Sequence, residues 1–138
     1  MDCVFCRIVK SKEPAYVVYE DEYVIAILDK YPISRGHTLV MPKKHYRDIT
    51  EIPSDELCRV IKVTKAVAMA VLKALNVPGV RIIQNNGAEA GQVIFHIHFH
   101  VIPMKGHIMG RHYLTEEEGR EVSELLAKAV KEVLSNMG

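Results

Sequence analysis

The segment from Phe95 to Pro103, FHIHFHVIP, places His96, His98 and His100 at every second position, in a chain of 138 residues with seven histidines. On an extended strand alternate residues share a face, about 6–7 Å apart per step. Three imidazoles would then line one face over about 13 Å, while Ile97, Phe99 and Val101 turn to the other face as core. Zinc–nitrogen bonds are only about 2.0–2.1 Å long, so three such rings on a regular strand would struggle to converge on one ion. Two neighbouring rings can do so, and a zinc-dependent hydrolase using two of the three as ligands is one reading. Division of labour among the three is another. The bland reading is a solvated row on an edge strand, which strict alternation of a residue uncommon in strands disfavours.

The flanks supply further groups. Upstream, NNGAEAGQ (residues 85–92) is a loop in which Gly87 and Gly91 allow close backbone approach, so its N–H groups could hold an anion. Asn85, Asn86 and Gln92 are neutral hydrogen-bonding groups of similar use. Near the N-terminus, Cys3-x-x-Cys6 reads as metal or redox chemistry before it reads as a disulfide. The third cysteine, Cys58, lies beside an apolar helical row and is expected to be core or bystander.

These groups need elements to hold them. Ala15 to Asp29 reads as two strands around the acidic turn Glu20-Asp21-Glu22. A short strand, Thr38 to Met41, stops at Pro42. From Ser54, a plausible N-cap, Leu57, Val60, Ile61, Thr64, Ala68, Val71, Leu72 and Leu75 follow helical spacing, ended by Asn76, Pro78 and Gly79. Val80 to Asn86 reads as a strand, and the histidine strand follows the loop. Residues 105–113 read as loop. Thr115 and Glu118 form a capping box for a last helix with Val122, Leu125, Leu126, Ala129, Val130 and Val133 on its apolar face. This order predicts an α+β fold with a mainly antiparallel sheet.

The length suits one domain with a core of its own. Lys plus Arg is 18 and Asp plus Glu is 17, a net charge of +1, which argues against a general nucleic-acid or membrane-surface binder. No segment approaches the roughly 18 apolar residues of a membrane span. The N-terminal stretch does not read as a signal peptide, so cytoplasm is the expected compartment.

Read in full, AGQVIFHIHFHVIP (residues 90–103) resembles the histidine triad, or HIT, superfamily of nucleotide hydrolases and transferases, and more narrowly its Hint-like branch. VFCRIV, YEDEYVIAILD, GHTLVMPKKH and NNG stand in the family's order and spacing, so the resemblance covers residues 2–103. It implies one HIT domain over 1–138, with a C-terminal loop and helix over 104–138. It implies a five-stranded sheet with two main helices, extended across a homodimer. By resemblance His98 is the nucleophile, attacking the α-phosphorus of a nucleoside 5′-phosphoramidate or related purine nucleotide and forming a nucleotidyl-histidine that water hydrolyses. His96 would lend its carbonyl to His98. His100 and His37 would donate to phosphate oxygens, and Asn85 and Gln92 would contact phosphate or a bridging oxygen. Asp29 would take the ribose hydroxyls, and Val4, Phe5, Ile8 and Ile27 would form the base slot.

Many microbial members with this Cys-x-x-Cys carry a structural zinc, and the resemblance implies Cys3, Cys6, His45 and His96 as its ligands and no organic cofactor. A closed set of that kind is structural rather than catalytic. Val93 stands where Hint-like members often have Ser, removing a hydroxyl near the leaving group. His107 and His112 match no family role and read as solvated loop residues. Two rival functions stand beside the enzyme: a nucleotide-binding regulatory protein with little turnover, and the zinc-dependent hydrolase above.

Overall fold

A computed structural model describes residues 3–106 and 111–137. The order is α1 (Val4–Val9), β1 (Val17–Glu20), β2 (Val24–Leu28), β3 (Thr38–Pro42), α2 (Ser54–Ala74), β4 (Gly79–Ile83), a 3-10 turn (Ala88–Ala90), β5 (Phe99–Met104) and α3 (Glu116–Asn136). The five strands form one sheet in the order β1-β2-β3-β5-β4. Every neighbouring pair is antiparallel. The expected α+β class, with a five-stranded antiparallel sheet and two main helices, is the one observed.

The sheet is covered on both faces, which explains why VIAIL of β2 and TLVMP of β3 read as near-continuous apolar runs. Val24, Ala26, Leu28, Val40, Phe99 and Val101 pack under α2 and α3 with Val60, Val67 and Leu126. Ile25, Ile27, Leu39 and Met41 face the other way, onto Phe5 and Cys3 at α1. Thr115 caps α3 by accepting the Glu118 N–H at 3.2 Å. Gly119 then lets α3 approach closely, because a Cβ there would sit 2.5 Å from the Tyr16 ring.

Several boundaries differ from the sequence reading. Pro53, not Ser54, is the N-cap of α2, and no side chain caps it. On α2 the buried row is Val60, Val63, Thr64, Ala66, Val67, Ala70 and Val71, whereas Ile61 is exposed. Leu125 of α3 is likewise exposed. Cys58 is exposed, so it is a bystander and not core. β4 ends at Ile83, before Asn86.

The largest difference lies in the histidine segment, where β5 begins only at Phe99. The last β3–β5 pair is Val40 with Phe99. Upstream of it the chain peels away, and the Ile97 N–H donates instead to the Tyr46 carbonyl at 2.8 Å. The alternation of faces nevertheless persists: Ile97, Phe99 and Val101 are buried in the core beneath the helices.

Candidate functional site

Which atoms of the histidines are available follows from the partners of their other ring nitrogens. A backbone carbonyl can only accept. His98 Nδ1 lies 2.7 Å from the His96 carbonyl and therefore carries the proton, leaving the lone pair on Nε2. His96 is the reverse: its Nε2 donates to the Pro42 carbonyl at 2.7 Å, leaving the lone pair on Nδ1. Pro42 lies beyond the β3–β5 pairing, so its carbonyl is free for this role.

His37 and His100 form a relay. The Ile33 N–H donates to His37 Nδ1 at 3.0 Å, so the neutral ring carries its proton on Nε2. That nitrogen is 3.0 Å from His100 Nδ1 and donates to it, which puts the His100 proton on Nε2. Asp29 Oδ2 flanks His37 Nε2 at 3.4 Å. Gly36 makes this placement possible: its φ of +90° is left-handed, and a Cβ there would meet Leu75 at 2.3 Å. Burial pushes the pKa of both His37 and His100 down to about 4. Burial also lowers that of His98. All three are neutral imidazoles at pH 7.

Asp29 follows β2 directly, and its N–H donates to the His37 carbonyl at 2.9 Å. Asp29, His37 and His100 lie close enough together to resemble a ligand set. The protonated Nε2 of His37 denies that set an imidazole lone pair, so these groups act as a hydrogen-bond chain.

A cavity of about 540 Å³ opens beside them, bounded by Val4, Phe5, Ile8, Ile27, Leu39, Ile94 and Asp29. That volume is in the range of small-molecule pockets. All four apolar residues expected in a base slot line it. Phe5 also stands edge-on to His98, with ring centroids 5.1 Å apart, and so walls the cavity from that ring.

The loop before the triad departs from expectation. The N–H groups of Gly87, Ala90, Gly91 and Gln92 are all engaged within the loop, so they do not form the expected anion-holding run. Gln92 is buried, its Oε1 accepting from Gly87 and its Nε2 donating to the Arg47 and Ile94 carbonyls. Contact with a phosphate would require it to give up one of these bonds. Asn85, by contrast, has no side-chain partner among the described residues. Asn86 closes the loop's base by accepting the Ile49 N–H at 2.8 Å. Val93 is 84% exposed.

A second cluster lies on the α1 side. His96 Nδ1 is 3.6 Å from both Cys3 Sγ and Cys6 Sγ, and His45 Nδ1 is 3.4 Å from Cys6 Sγ. Tetrahedral zinc, with bonds of about 2.3 Å to sulfur and 2.0–2.1 Å to nitrogen, sets its sulfur and nitrogen ligands about 3.5 Å apart. The four donor atoms lie within 4.8 Å of one another, and the His96 lone pair faces the thiols. The donor set therefore fits zinc. Burial and the Cys3 thiol raise the pKa of Cys6, so a cation is what would allow both sulfurs to ionise.

Sequence reasoning missed Arg111, Tyr31, Tyr113 and Leu114. Arg111 Nη1 lies 3.0 Å from Asp29 Oδ2, and Tyr31, Tyr113 and Leu114 line the cavity. No local pattern marks them, because Arg111 reaches Asp29 from the far end of the chain. His112 is half exposed, with Nε2 3.4 Å from Glu118 Oε1. His107 lies outside the described residues. No helix among the described residues is long and apolar enough to cross a membrane.

Comparison with known proteins agrees with this geometry. The HIT domain family model matches residues 10–107. The chain is 41% identical over 104 residues to adenylylsulfatase HINT3 of Arabidopsis thaliana, spanning 75% of this chain and 53% of that protein. A hypothetical histidine triad nucleotide-binding protein from Sulfolobus tokodaii has a TM-score of 0.88 at 38% identity, covering 94% of this chain and 93% of that one. A Zn-bound histidine triad family protein from Mycobacterium smegmatis has a TM-score of 0.86 at 38% identity, covering 98% of this chain and 97% of that one. The chain belongs to the HIT domain family.

Proposed function

We propose that this protein is a nucleotide hydrolase or nucleotidyl transferase acting at the α-phosphate of nucleoside 5′-phosphoramidates or related purine nucleotide derivatives. The observation that carries this reading is the His98 tautomer, whose Nδ1–H is held by the His96 carbonyl and whose Nε2 keeps its lone pair. A neutral attacker avoids repulsion from an anionic phosphate. Nε2 attacks phosphorus, the Nε2–P bond forms, and the bond to the leaving group breaks. The ring becomes cationic, and its Nδ1–H bond to the carbonyl stabilises that charge. The leaving group takes its proton from solvent, and the neutral His100 keeps its own, its Nε2–H serving only as a hydrogen-bond donor toward the departing atom. Water then attacks phosphorus and loses a proton to solvent, the N–P bond breaks with its electron pair returning to Nε2, and a nucleoside monophosphate departs.

His37 and His100, aligned as a donor chain, hold charge on the non-bridging oxygens. Asn85 offers an unengaged amide to the phosphate, and Gln92 holds the loop that presents it. Asp29 takes the ribose hydroxyls, and Val4, Phe5, Ile8 and Ile27 receive the base. Zinc on Cys3, Cys6, His45 and His96 would lock α1, and with it the base slot, to the segment bearing His98. The relative named an adenylylsulfatase supports chemistry at a nucleotide phosphate.

The chain is expected to act as one domain, in the cytoplasm, without an organic cofactor or nucleic-acid partner. Homodimerisation is proposed through β4, an edge strand whose Ile82 is 45% exposed.

The test is trapping with adenosine 5′-phosphoramidate, read by intact mass. An adenylyl adduct on wild type, absent in His98→Ala, is expected. An adduct that persists in the variant sinks the assignment. Chelation tests the metal rival: reversible, complete loss of turnover without unfolding would favour it. Tight monophosphate binding with no adduct from any activated nucleotide would favour a regulatory protein.

A further inference from the structure

Residues 111–115, just before α3, run along the cavity, which Tyr113 and Leu114 line, and are pinned there. The His112 N–H donates to the Pro32 carbonyl at 3.3 Å, and the Leu114 N–H to the Lys30 carbonyl at 2.9 Å. The Tyr113 ring meets Tyr31 at 5.6 Å between centroids. These contacts deliver Arg111 to Asp29. Its Nη1 donates to Asp29 Oδ2 at 3.0 Å and to the Tyr31 carbonyl at 2.5 Å.

The occupancy of the carboxylate is then countable. A carboxylate offers roughly four lone-pair positions, two on each oxygen. On Oδ1, the Tyr31 N–H takes one at 2.8 Å. On Oδ2, Arg111 takes one, and the His37 ring, whose Nε2 lies 3.4 Å away while giving its proton to His100, crowds the other. One position on Oδ1 stays open. A single sugar hydroxyl can donate there without disturbing anything. A vicinal diol donating one hydroxyl to each oxygen needs Oδ2 as well, and Arg111 stands in that position.

We infer that Arg111 is a specificity-determining residue that competes with the second ribose hydroxyl for Asp29, so that ribonucleotides must displace it and 2′-deoxyribonucleotides need not. The inference rests on the reading of Asp29 as the sugar-binding carboxylate. Displacement is affordable because the guanidinium side chain is 45% exposed and regains water on release. Exposed ion pairs are individually weak, so the competition amounts to about threefold to fivefold in affinity. Arg111 thereby narrows the preference for ribose that Asp29 alone would impose.

The experiment is calorimetric titration of the full chain with AMP and with 2′-deoxy-AMP, in wild type, Arg111→Ala, Arg111→Lys and Asp29→Ala. Arg111→Ala is expected to tighten AMP by about threefold to fivefold and to leave 2′-deoxy-AMP within about twofold, widening the ratio. Arg111→Lys, which keeps a cation on Asp29, is expected to stay near wild type. A purely structural role would weaken both ligands together. That result, equal tightening of both, or no change in the ratio overturns the inference while leaving Asp29 as the sugar carboxylate. If Asp29→Ala leaves AMP affinity and the ratio unaltered, the reading of Asp29 itself fails and this inference falls with it. Melting curves confirm that each variant is folded before titration.

Discussion

His96 and His98 are two residues apart, the first buried and the second half-buried, and their rings offer opposite nitrogens. His96 gives its Nε2–H to Pro42 and turns an Nδ1 lone pair toward two thiols. His98 gives its Nδ1–H to His96 itself and keeps its lone pair on Nε2. One belongs to a cluster of converging lone pairs, Cys3, Cys6, His45 and His96, which fits a cation. The other stands beside a chain of N–H donors, His37 to His100, which fits an anion. The difference is not in residue type. It comes from which backbone carbonyl or N–H reaches each ring, and hence from where β3 and β5 stop pairing.

The contrast can be broken most forcefully at His98. His98→Ala should lower turnover by about 10⁴-fold or more while the zinc content found for wild type is kept, as measured by metal analysis on the purified variant. Equal loss of zinc would mean that the two clusters are not separable. Next in size is His37→Ala. It removes the donor that sets the His100 tautomer, and kcat should fall by about 10²- to 10³-fold with little change in KM, while the emptied buried site lowers the melting temperature. Activity at wild-type level would show that the relay is incidental.

On the cation side, Cys6→Ala should abolish zinc binding and cost about 2–4 kcal/mol of stability, seen as a lower urea midpoint. Its effect on the trapped adduct should be far smaller than that of His98→Ala, since the lost group only ties α1 to the site. The subtlest difference is in pH. His37 and His100 titrate near 4 when folded, against an ordinary value near 6.5. Between those values the unfolded chain binds more protons, so stability is full above about pH 6.5 and declines as the pH falls toward 4. Urea midpoints across that window should fall less steeply in His37→Asn than in wild type. Parallel slopes would contradict the burial of a neutral His37.

Much of this arrangement is legible in the chain. The strand content of residues 15–29 and 38–41 announces the antiparallel sheet, and the spacing of α3 marks its buried side correctly except at Leu125. The alternation of Ile97, Phe99 and Val101 with the histidines sorts core from site even where the strand hydrogen bonds are absent. The loop was less transparent. Gly87 and Gly91 suggest an anion cradle, yet the N–H groups there close a 3-10 turn, because a short loop satisfies its own backbone before it can serve a ligand. Ile61 looks like core by period, but α2 presents Val60 and Val63 to the sheet and leaves Ile61 outside.

The sequence by itself determined the elements, their faces and the residues that could do chemistry, because periodicity and residue type are local properties. Tertiary structure alone decided the tautomers, the separation of a metal-fitting cluster from an anion-fitting one, and the placement of Arg111 on Asp29. Each of these depends on a hydrogen bond between residues distant in the chain: Pro42 with His96, His37 with His100, Asp29 with Arg111. A ring nitrogen's proton is settled by its nearest partner in space, and spacing along the chain carries no record of that partner.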